Sequence, residues 1–210
     1  MPRLPRLLLS QSYYHIMARG NNKNIIFKEK EDYIFYLNLI SKYKKKHPFY
    51  LYHYCLMPNH IHLLIQTNKA INFSILMKKI NLSYYHYFKK KYGQTGHFWQ
   101  NRFKSKPVGK DEYFIQCGKY IELNPTRANI TEDPKEYFYS SYNHYSQGKE
   151  DELITNNFYY EGLGKNNQER RLNYQNLLID KAIKRTYNKD IWGSDSQRYM
   201  EKRKIKRRIS

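Results

Sequence analysis

Two runs of aromatic and aliphatic residues lie almost next to each other in the chain and restrict the folds open to it. The first covers residues 49–57 (FYLYHYCLM), and the second covers residues 60–66 (HIHLLIQ). Only Pro58 and Asn59 separate the two runs, and both residue types favour tight turns. The pattern predicts a β-hairpin, so the fold must contain antiparallel strands.

On either side of this hairpin, the spacing of apolar residues predicts two further strands and three helices. The strands cover residues 12–18 and 103–108, and the helices cover residues 29–46, 72–92 and 110–123. The last helix ends near Asn124, because a residue that precedes proline is disfavoured in helical geometry. This order of elements is close to a ferredoxin-like split unit. It predicts an α+β fold, in which helices pack on one face of an antiparallel sheet.

The composition changes beyond about residue 145, where Gly, Asn and Ser become more frequent and the apolar stretches become shorter. A weaker helical pattern covers residues 167–187, and the last ten residues, EKRKIKRRIS, include six basic side chains. We therefore expect one domain over residues 1–145. A mainly helical C-terminal appendage, which ends in a basic tail, is expected over residues 146–210.

The chain has a formal net charge of +20, and its basic residues are concentrated at the two ends of the sequence. Lys plus Arg outnumber Asp plus Glu by 20 to 3 in residues 1–110 and by 11 to 3 in residues 181–210. In residues 111–180 the acidic side chains lead by 12 to 7. A strongly basic region attracts polyanions and releases their condensed counterions. Nucleic acid is the predicted partner, and a solvated lysine-rich surface without a partner is the alternative.

The only two cysteines, Cys55 and Cys117, are too few for a disulfide framework and are typical of a reducing compartment. No stretch approaches the roughly 20 apolar residues that span a bilayer. The apolar run near the N-terminus is too short for a signal sequence. These features predict a cytoplasmic protein with no membrane partner.

His60 and His62 stand two residues apart on the second run of the hairpin. Side chains at this spacing point to the same face of a strand, so the two imidazoles converge while Ile61 faces the other way. Two neutral imidazoles on a rigid strand can share one divalent metal ion. The alternative is a pair of polar residues on a solvated sheet face, and the spacing alone does not choose between them.

His53 and Cys55 have the same spacing on the first run of the hairpin. Across the turn they could approach His60 and His62, which would complete a closed structural zinc site with four nitrogen and sulfur ligands. A cysteine in an apolar run is more commonly a small buried hydrophobic residue. The zinc site remains open as a second hypothesis.

Tyr120 and Asn124 lie four residues apart at the end of the third predicted helix, so they share one helix face. If that face meets the histidines, Asn124 can offer a third, oxygen ligand, and the phenol of Tyr120 can reach a bound phosphate. The chain contains 23 tyrosines, however, and ordinary packing explains this position equally well. The residues alone therefore do not select Tyr120.

Four segments, taken together and in this order, resemble a known family. They are YHIMARGNN, YCLMPNHIHLLI, FWQNRF and KYIELNPTRA. The combination is similar to the REP-associated tyrosine transposases, a branch of the single-tyrosine HUH transposases of insertion sequences. The resemblance covers about residues 11–145, and the MPNHIHLLI and YIELNPTRA stretches carry it most specifically.

The resemblance implies a transposase that cuts and joins single-stranded DNA at palindromic hairpin elements. His60, His62 and Asn124 would bind a divalent metal ion, Mg²⁺ or Mn²⁺, and Tyr120 would be the nucleophile. The product would be a 5′-phosphotyrosine linkage and a free 3′-hydroxyl, with no need for a nucleotide cofactor. The alternative is a non-catalytic DNA- or RNA-binding regulator on the same fold, and a monomer is favoured over a homodimer.

Four residues are predicted to contact DNA, because basic side chains interleaved with aromatic ones combine phosphate contacts with base stacking. They are Arg19, Trp99, Arg102 and Lys104. Arg19 lies at a Gly-Asn turn, where the backbone can approach a nucleic acid closely, although the same turn is needed simply to reverse the chain. Trp99 is suited to packing under its own loop as well as to stacking on a base.

Overall fold

The structure, a computed structural model, describes residues 11–68 and 70–179. The N-terminal residues 1–10, the end of the helix predicted over residues 167–187, and the basic tail lie outside the described residues. None of the helices in the described part of the chain combines the length and apolarity that a membrane crossing requires.

In the part of the chain that the structure describes, four strands form one antiparallel sheet. They are β1 (Tyr13–Arg19), β2 (Phe49–Met57), β3 (His60–Thr67) and β4 (Lys104–Val108). The order in the sheet is β2-β3-β1-β4, so β4 lies at an edge. Pro107 is tolerated on this strand because proline has no backbone N–H, and a residue on an edge strand can do without one. The predicted hairpin is confirmed: β2 pairs with β3, and the pairing places Met57 opposite His60 and Cys55 opposite His62.

Seven helices lie in the described residues. They are α1 (Lys30–Lys46), α2 (Ala70–Tyr92), α3 (Glu112–Glu122), α4 (Asn124–Arg127), α5 (Tyr142–Gln147), α6 (Phe158–Glu161) and α7 (Asn167–Ile179). The third predicted helix does end near Asn124, but the chain then makes one more helical turn, α4. Pro125 fits the first turn of α4 because that position needs no backbone N–H donor. The α+β fold is therefore confirmed.

Helices cover both faces of the sheet, which corrects the prediction that they pack on one face. The apolar side chains of α1 and α2 form a core with one face of the strands, which includes Ile16 and Leu63. The opposite face carries Leu64 and Cys55, and α3 packs on it. Besides its histidines, this second face has buried apolar side chains that must be shielded from water, and α3 supplies that cover.

A buried carboxylate ties α3 to the sheet and to the C-terminal part of the chain. Glu122 is fully buried and accepts hydrogen bonds from His53 Nδ1 of β2 (2.9 Å), Ser141 Oγ (2.5 Å) and the hydroxyl of Tyr174 in α7 (2.6 Å). Gly118 makes this approach possible, since a Cβ at that position would lie 2.7 Å from the ring of His53. The boundary predicted at residue 145 falls inside α5, and the division into two domains stays a prediction.

Candidate active site

Three imidazoles meet on the sheet face that α3 covers. His60 and His62 project from β3 with ring centroids 4.8 Å apart, as strand alternation predicted. His15 of the neighbouring strand β1 adds a third ring, which no spacing in the sequence had singled out. The Nε2 atom of His15 lies 2.8 Å from Nδ1 of His62, and both side chains are fully buried.

The hydrogen bonds of His60 leave one of its ring nitrogens available as a ligand. Its Nδ1 lies 2.5 Å from Oδ1 of Asn59, and the Nδ2 of Asn59 donates to the carbonyl of Lys23. Because Asn59 thus presents its oxygen, Nδ1 of His60 carries the proton and donates it. The lone pair of His60 is then on Nε2, the tautomer that binds a metal ion through this atom.

Burial keeps these imidazoles neutral. It lowers the pKa of His60 to about 3, and the nearby positive charge of Arg19 adds to this shift. It also lowers the pKa of His15 to about 3, with smaller contributions from Lys106 and His60, and holds the pKa of His62 well below its usual value. A neutral imidazole is the form that ligates a metal.

Tyr120 projects from α3 toward the same imidazoles. Its ring centroid lies 5.8 Å from that of His62 and 5.9 Å from that of His15, in edge-to-face arrangements. The guanidinium carbon of Arg127 lies 5.1 Å from the centroid of the same tyrosine ring. Burial raises the pKa of the Tyr120 phenol, and the charge of Arg127 opposes that rise.

The side chain of Asn124 folds back onto the end of α3. Its Nδ2 donates to the carbonyls of Tyr120 (2.7 Å) and Ile121 (3.3 Å). These two acceptors fix the orientation of the amide, because only the NH₂ group can donate to a carbonyl. The amide oxygen remains available as an acceptor or as a metal ligand.

The residues present fit a small open metal site better than a closed zinc site. The Nε2 of His62 is buried and has no hydrogen-bond partner among the described residues, as expected of a nitrogen that coordinates a metal ion when one is bound. His53, by contrast, is engaged with Glu122, which argues against the four-ligand zinc hypothesis. A closed zinc site would also need several His or Cys ligands close together. Within residues 11–68 and 70–179, no group of three or more His, Cys, Asp or Glu side chains is arranged to hold a metal ion.

The family model described as "Transposase IS200 like" matches residues 8–124, more than half of the chain. The chain belongs to this family. The family assignment confirms the resemblance inferred from the sequence motifs, and it makes the chain a DNA-processing protein of the transposase type.

Comparison with solved structures shows that a transposase has a similar fold. The chain resembles a REP-associated tyrosine transposase whose structure was determined bound to a REP hairpin, with a TM-score of 0.60 and 16% sequence identity. The similarity covers 75% of this chain and 93% of the other. A comparison with curated protein sequences gave no match.

Basic side chains surround the imidazoles of this IS200-like transposase. Arg19 is almost fully buried and stands opposite His60 in the sheet. Lys104 and Lys106 of β4 pair with Met17 and His15, so they share the face of the histidines. Of these residues, Arg19 and Lys104 were predicted as DNA contacts, whereas Lys106 was not.

The other two predicted DNA contacts lie on the loop that precedes β4. Trp99 is half-buried, donates through Nε1 to the carbonyl of Asn81 in α2 (3.0 Å), and pairs with Gly20, the residue after Arg19. Gly20 is required there, since a Cβ would lie 2.3 Å from the carbonyl oxygen of Asn24. Arg102 is exposed. A DNA contact for either Trp99 or Arg102 stays a prediction.

His15 also makes the stability of the transposase depend on pH. The pKa of His15 is about 3 in the folded chain and near 6.5 when the side chain is exposed. At pH values between these two, the unfolded chain therefore binds more protons than the folded chain does. Stability should therefore fall as the pH is lowered through this window, by up to about 1.4 kcal/mol per pH unit from this imidazole. Urea unfolding at pH 6.5, 5.8 and 5.0 measures the slope, and His15→Phe should make it shallower without abolishing it, because the pKa values of His60 and His62 are lowered as well. An equal slope in both proteins would contradict the expectation.

Proposed function

We propose that this chain is a metal-dependent, single-stranded DNA endonuclease and strand transferase that acts at palindromic hairpin elements through a 5′-phosphotyrosine intermediate. The observation that carries the proposal is the convergence of Tyr120 on His62 and His15, with ring centroids less than 6 Å apart. Among the chain's 23 tyrosines, Tyr120 is also the one on α3 that lies one turn before the Asn-Pro pair.

His60, His62 and Asn124 would hold the divalent cation, Mg²⁺ or Mn²⁺. Both histidines have their Nδ1 atoms engaged in hydrogen bonds, which leaves Nε2 for the ligand, and Asn124 has its NH₂ group engaged, which leaves oxygen. A cation bound there would polarise a non-bridging phosphate oxygen and stabilise negative charge at the reacting phosphate.

The chemical step requires no cofactor that carries energy. The phenolic oxygen of Tyr120 forms a bond to phosphorus, and the bond from phosphorus to the 3′ oxygen of the preceding nucleotide breaks. The phenol loses a proton and the departing 3′ oxygen gains one. Attack of a 3′-hydroxyl on the phosphotyrosine reverses these changes, joins two strands and regenerates the tyrosine.

Arg127 would support this step. Its Nη1 atom is buried and has no hydrogen-bond partner among the described residues, although the group lies over the ring of Tyr120. A guanidinium in this position can donate to a phosphate oxygen and favour the phenolate form of the tyrosine. Arg19, beside His60, offers a second positive charge for the DNA backbone.

One chain supplies the imidazoles, the tyrosine and the arginine. Because Tyr120 faces histidines of its own chain, the site needs no tyrosine from a partner subunit. We therefore propose that the protein acts as a monomer. Light scattering at concentrations that support cleavage should report the mass of a single chain.

Cleavage of end-labelled, single-stranded DNA tests the function. The substrate carries a palindromic hairpin with single-stranded flanks, and the reaction is run with Mg²⁺, with Mn²⁺ and with EDTA. We expect a shortened labelled strand and a protein-linked strand on a denaturing gel, both only with a cation. Hairpin binding without cleavage under every condition would instead identify a non-catalytic nucleic-acid-binding regulator.

Replacement of Arg127 by Ala should lower the rate of covalent adduct formation by about 10²-fold. This is the loss typical when an enzyme loses one hydrogen-bond donor that stabilises the charge developing in the transition state. The Arg127→Lys protein keeps the charge without the planar fork, so its rate should lie between those of the wild type and the Ala variant. The measurement is single-turnover formation of the protein–DNA adduct at saturating protein. A wild-type rate in the Ala variant would remove Arg127 from the proposed site.

A further inference from the structure

His15 is buried beside the proposed metal site. Neither the family resemblance nor the proposed cleavage chemistry gives this residue a role. It is fully buried in β1, and β1 pairs with β3 so that His15 lies across from Leu64, next to His62. Its Nε2 makes a single hydrogen bond, 2.8 Å from Nδ1 of His62, and its Nδ1 has no partner among the described residues.

The hydrogen bond between the two imidazoles allows only two arrangements of protons when both rings are neutral. In one, His15 donates from Nε2, and His62 then carries its own proton on Nε2, where it blocks a ligand. In the other, His62 donates from Nδ1, its Nε2 holds a free lone pair, and the proton of His15 is on Nδ1. Only the second arrangement presents Nε2 of His62, which is buried and unpartnered among the described residues, as a metal ligand.

We infer that His15 is a positioning residue, which holds the ring of His62 in place and accepts its Nδ1–H so that Nε2 is presented to the divalent cation. This inference rests on the proposed function. Asn59 does the same for His60, where its oxygen accepts the Nδ1–H at 2.5 Å. The two ligand histidines are thus oriented by different partners, one a side-chain amide and the other an imidazole of the adjacent strand. Such outer partners typically change metal affinity 10- to 100-fold when removed.

Two substitutions separate hydrogen bonding from packing. His15→Phe fills the same space without an acceptor, whereas His15→Gln places an amide oxygen near the former position of Nε2, where it can accept from His62. His86→Phe is the matched control, because His86 is exposed on α2 and α2 packs on the other face of the sheet. Thermal unfolding of the metal-free proteins verifies that each variant is folded.

The measurement is the dissociation constant for Mn²⁺ without DNA, followed by the electron paramagnetic resonance signal of free Mn²⁺. We expect His15→Phe to bind Mn²⁺ about 10- to 100-fold more weakly than the wild type. His15→Gln should recover most of that loss, and His86→Phe should bind as the wild type does. Equal Mn²⁺ affinity in the wild type and a folded His15→Phe protein would overturn the inference and leave the proposed function intact. A wild-type protein that binds no Mn²⁺ would overturn both.

Nitrogen NMR of the wild-type protein tests the tautomers directly and does not depend on how a variant folds. Saturation with Mg²⁺, which is diamagnetic, should give His62 a protonated Nδ1 and a bare Nε2, and His15 a protonated Nδ1. A proton on Nε2 of His62 in the Mg²⁺-saturated protein would overturn the inference. The Mn²⁺ titration shows in parallel whether the metal site itself exists.

Discussion

Tyr120→Phe protein should bind hairpin DNA with unchanged affinity and form no covalent adduct. The substitution removes one hydroxyl and keeps the aromatic ring, whose edge-to-face contacts with His15 and His62 and whose contact with Arg127 do not need that oxygen. Since the hydroxyl is the proposed nucleophile, strand cleavage should fall by at least about 10³-fold. A denaturing gel measures cleavage, and a mobility shift measures binding.

The matched control for this variant is Tyr113→Phe. Tyr113 lies on the same helix, α3, but its side chain is 61% exposed and outside the histidine cluster. Cleavage by Tyr113→Phe should equal that of the wild type. If Tyr120→Phe still forms a covalent adduct, Tyr120 is not the nucleophile, whatever the result for Tyr113.

Glu122→Ala should lower the free energy of unfolding by about 3–5 kcal/mol, which is at the upper end of what single substitutions do. The carboxylate accepts hydrogen bonds from three residues, and its removal leaves the buried donors of His53 and Tyr174 without an acceptor. Ser141 loses less, because its hydroxyl also lies 3.3 Å from the carbonyl of Tyr54. Urea unfolding at pH 7 measures the change in free energy.

Two further variants show whether the loss of stability comes from the acceptor oxygens of Glu122. Glu122→Gln keeps one acceptor oxygen in the same place and should cost less than Glu122→Ala. Glu150→Ala removes an exposed carboxylate and should change stability by no more than about 0.5 kcal/mol. A loss below about 1 kcal/mol for Glu122→Ala would show that the three donors find other partners, and that the C-terminal helix α7 does not depend on this contact.

The sheet and the helices of the first 125 residues follow from periodicity in the sequence. The run FYLYHYCLM, the Pro-Asn turn and the run HIHLLIQ correspond to β2 and β3 within one residue, because local alternation and turn chemistry agree there. The face on which α3 packs does not follow in the same way. A helix can cover either face of a sheet, and only the complete set of buried side chains on each face decides between them.

The site was predictable where spacing within one element determines it. His60 and His62 lie two apart on a strand, and Tyr120 and Asn124 lie one turn apart, so their relative placement is local. His15 escaped detection because its neighbour His62 is 47 residues away, and the contact depends on the pairing register of β1 with β3. Arg127 is seven residues beyond Tyr120, about two helical turns, and this spacing was a signal that could have identified it.

Mass-spectrometric mapping of the trapped adduct tests the central claim most directly. Wild-type protein is incubated with hairpin DNA and Mn²⁺, the linked DNA is digested with a nuclease, and the protein is cleaved into peptides. The proposed function predicts one modified peptide, whose added nucleotide is attached to Tyr120 through its 5′ phosphate. A nucleotide on another residue, or cut DNA with no modified peptide, would contradict it.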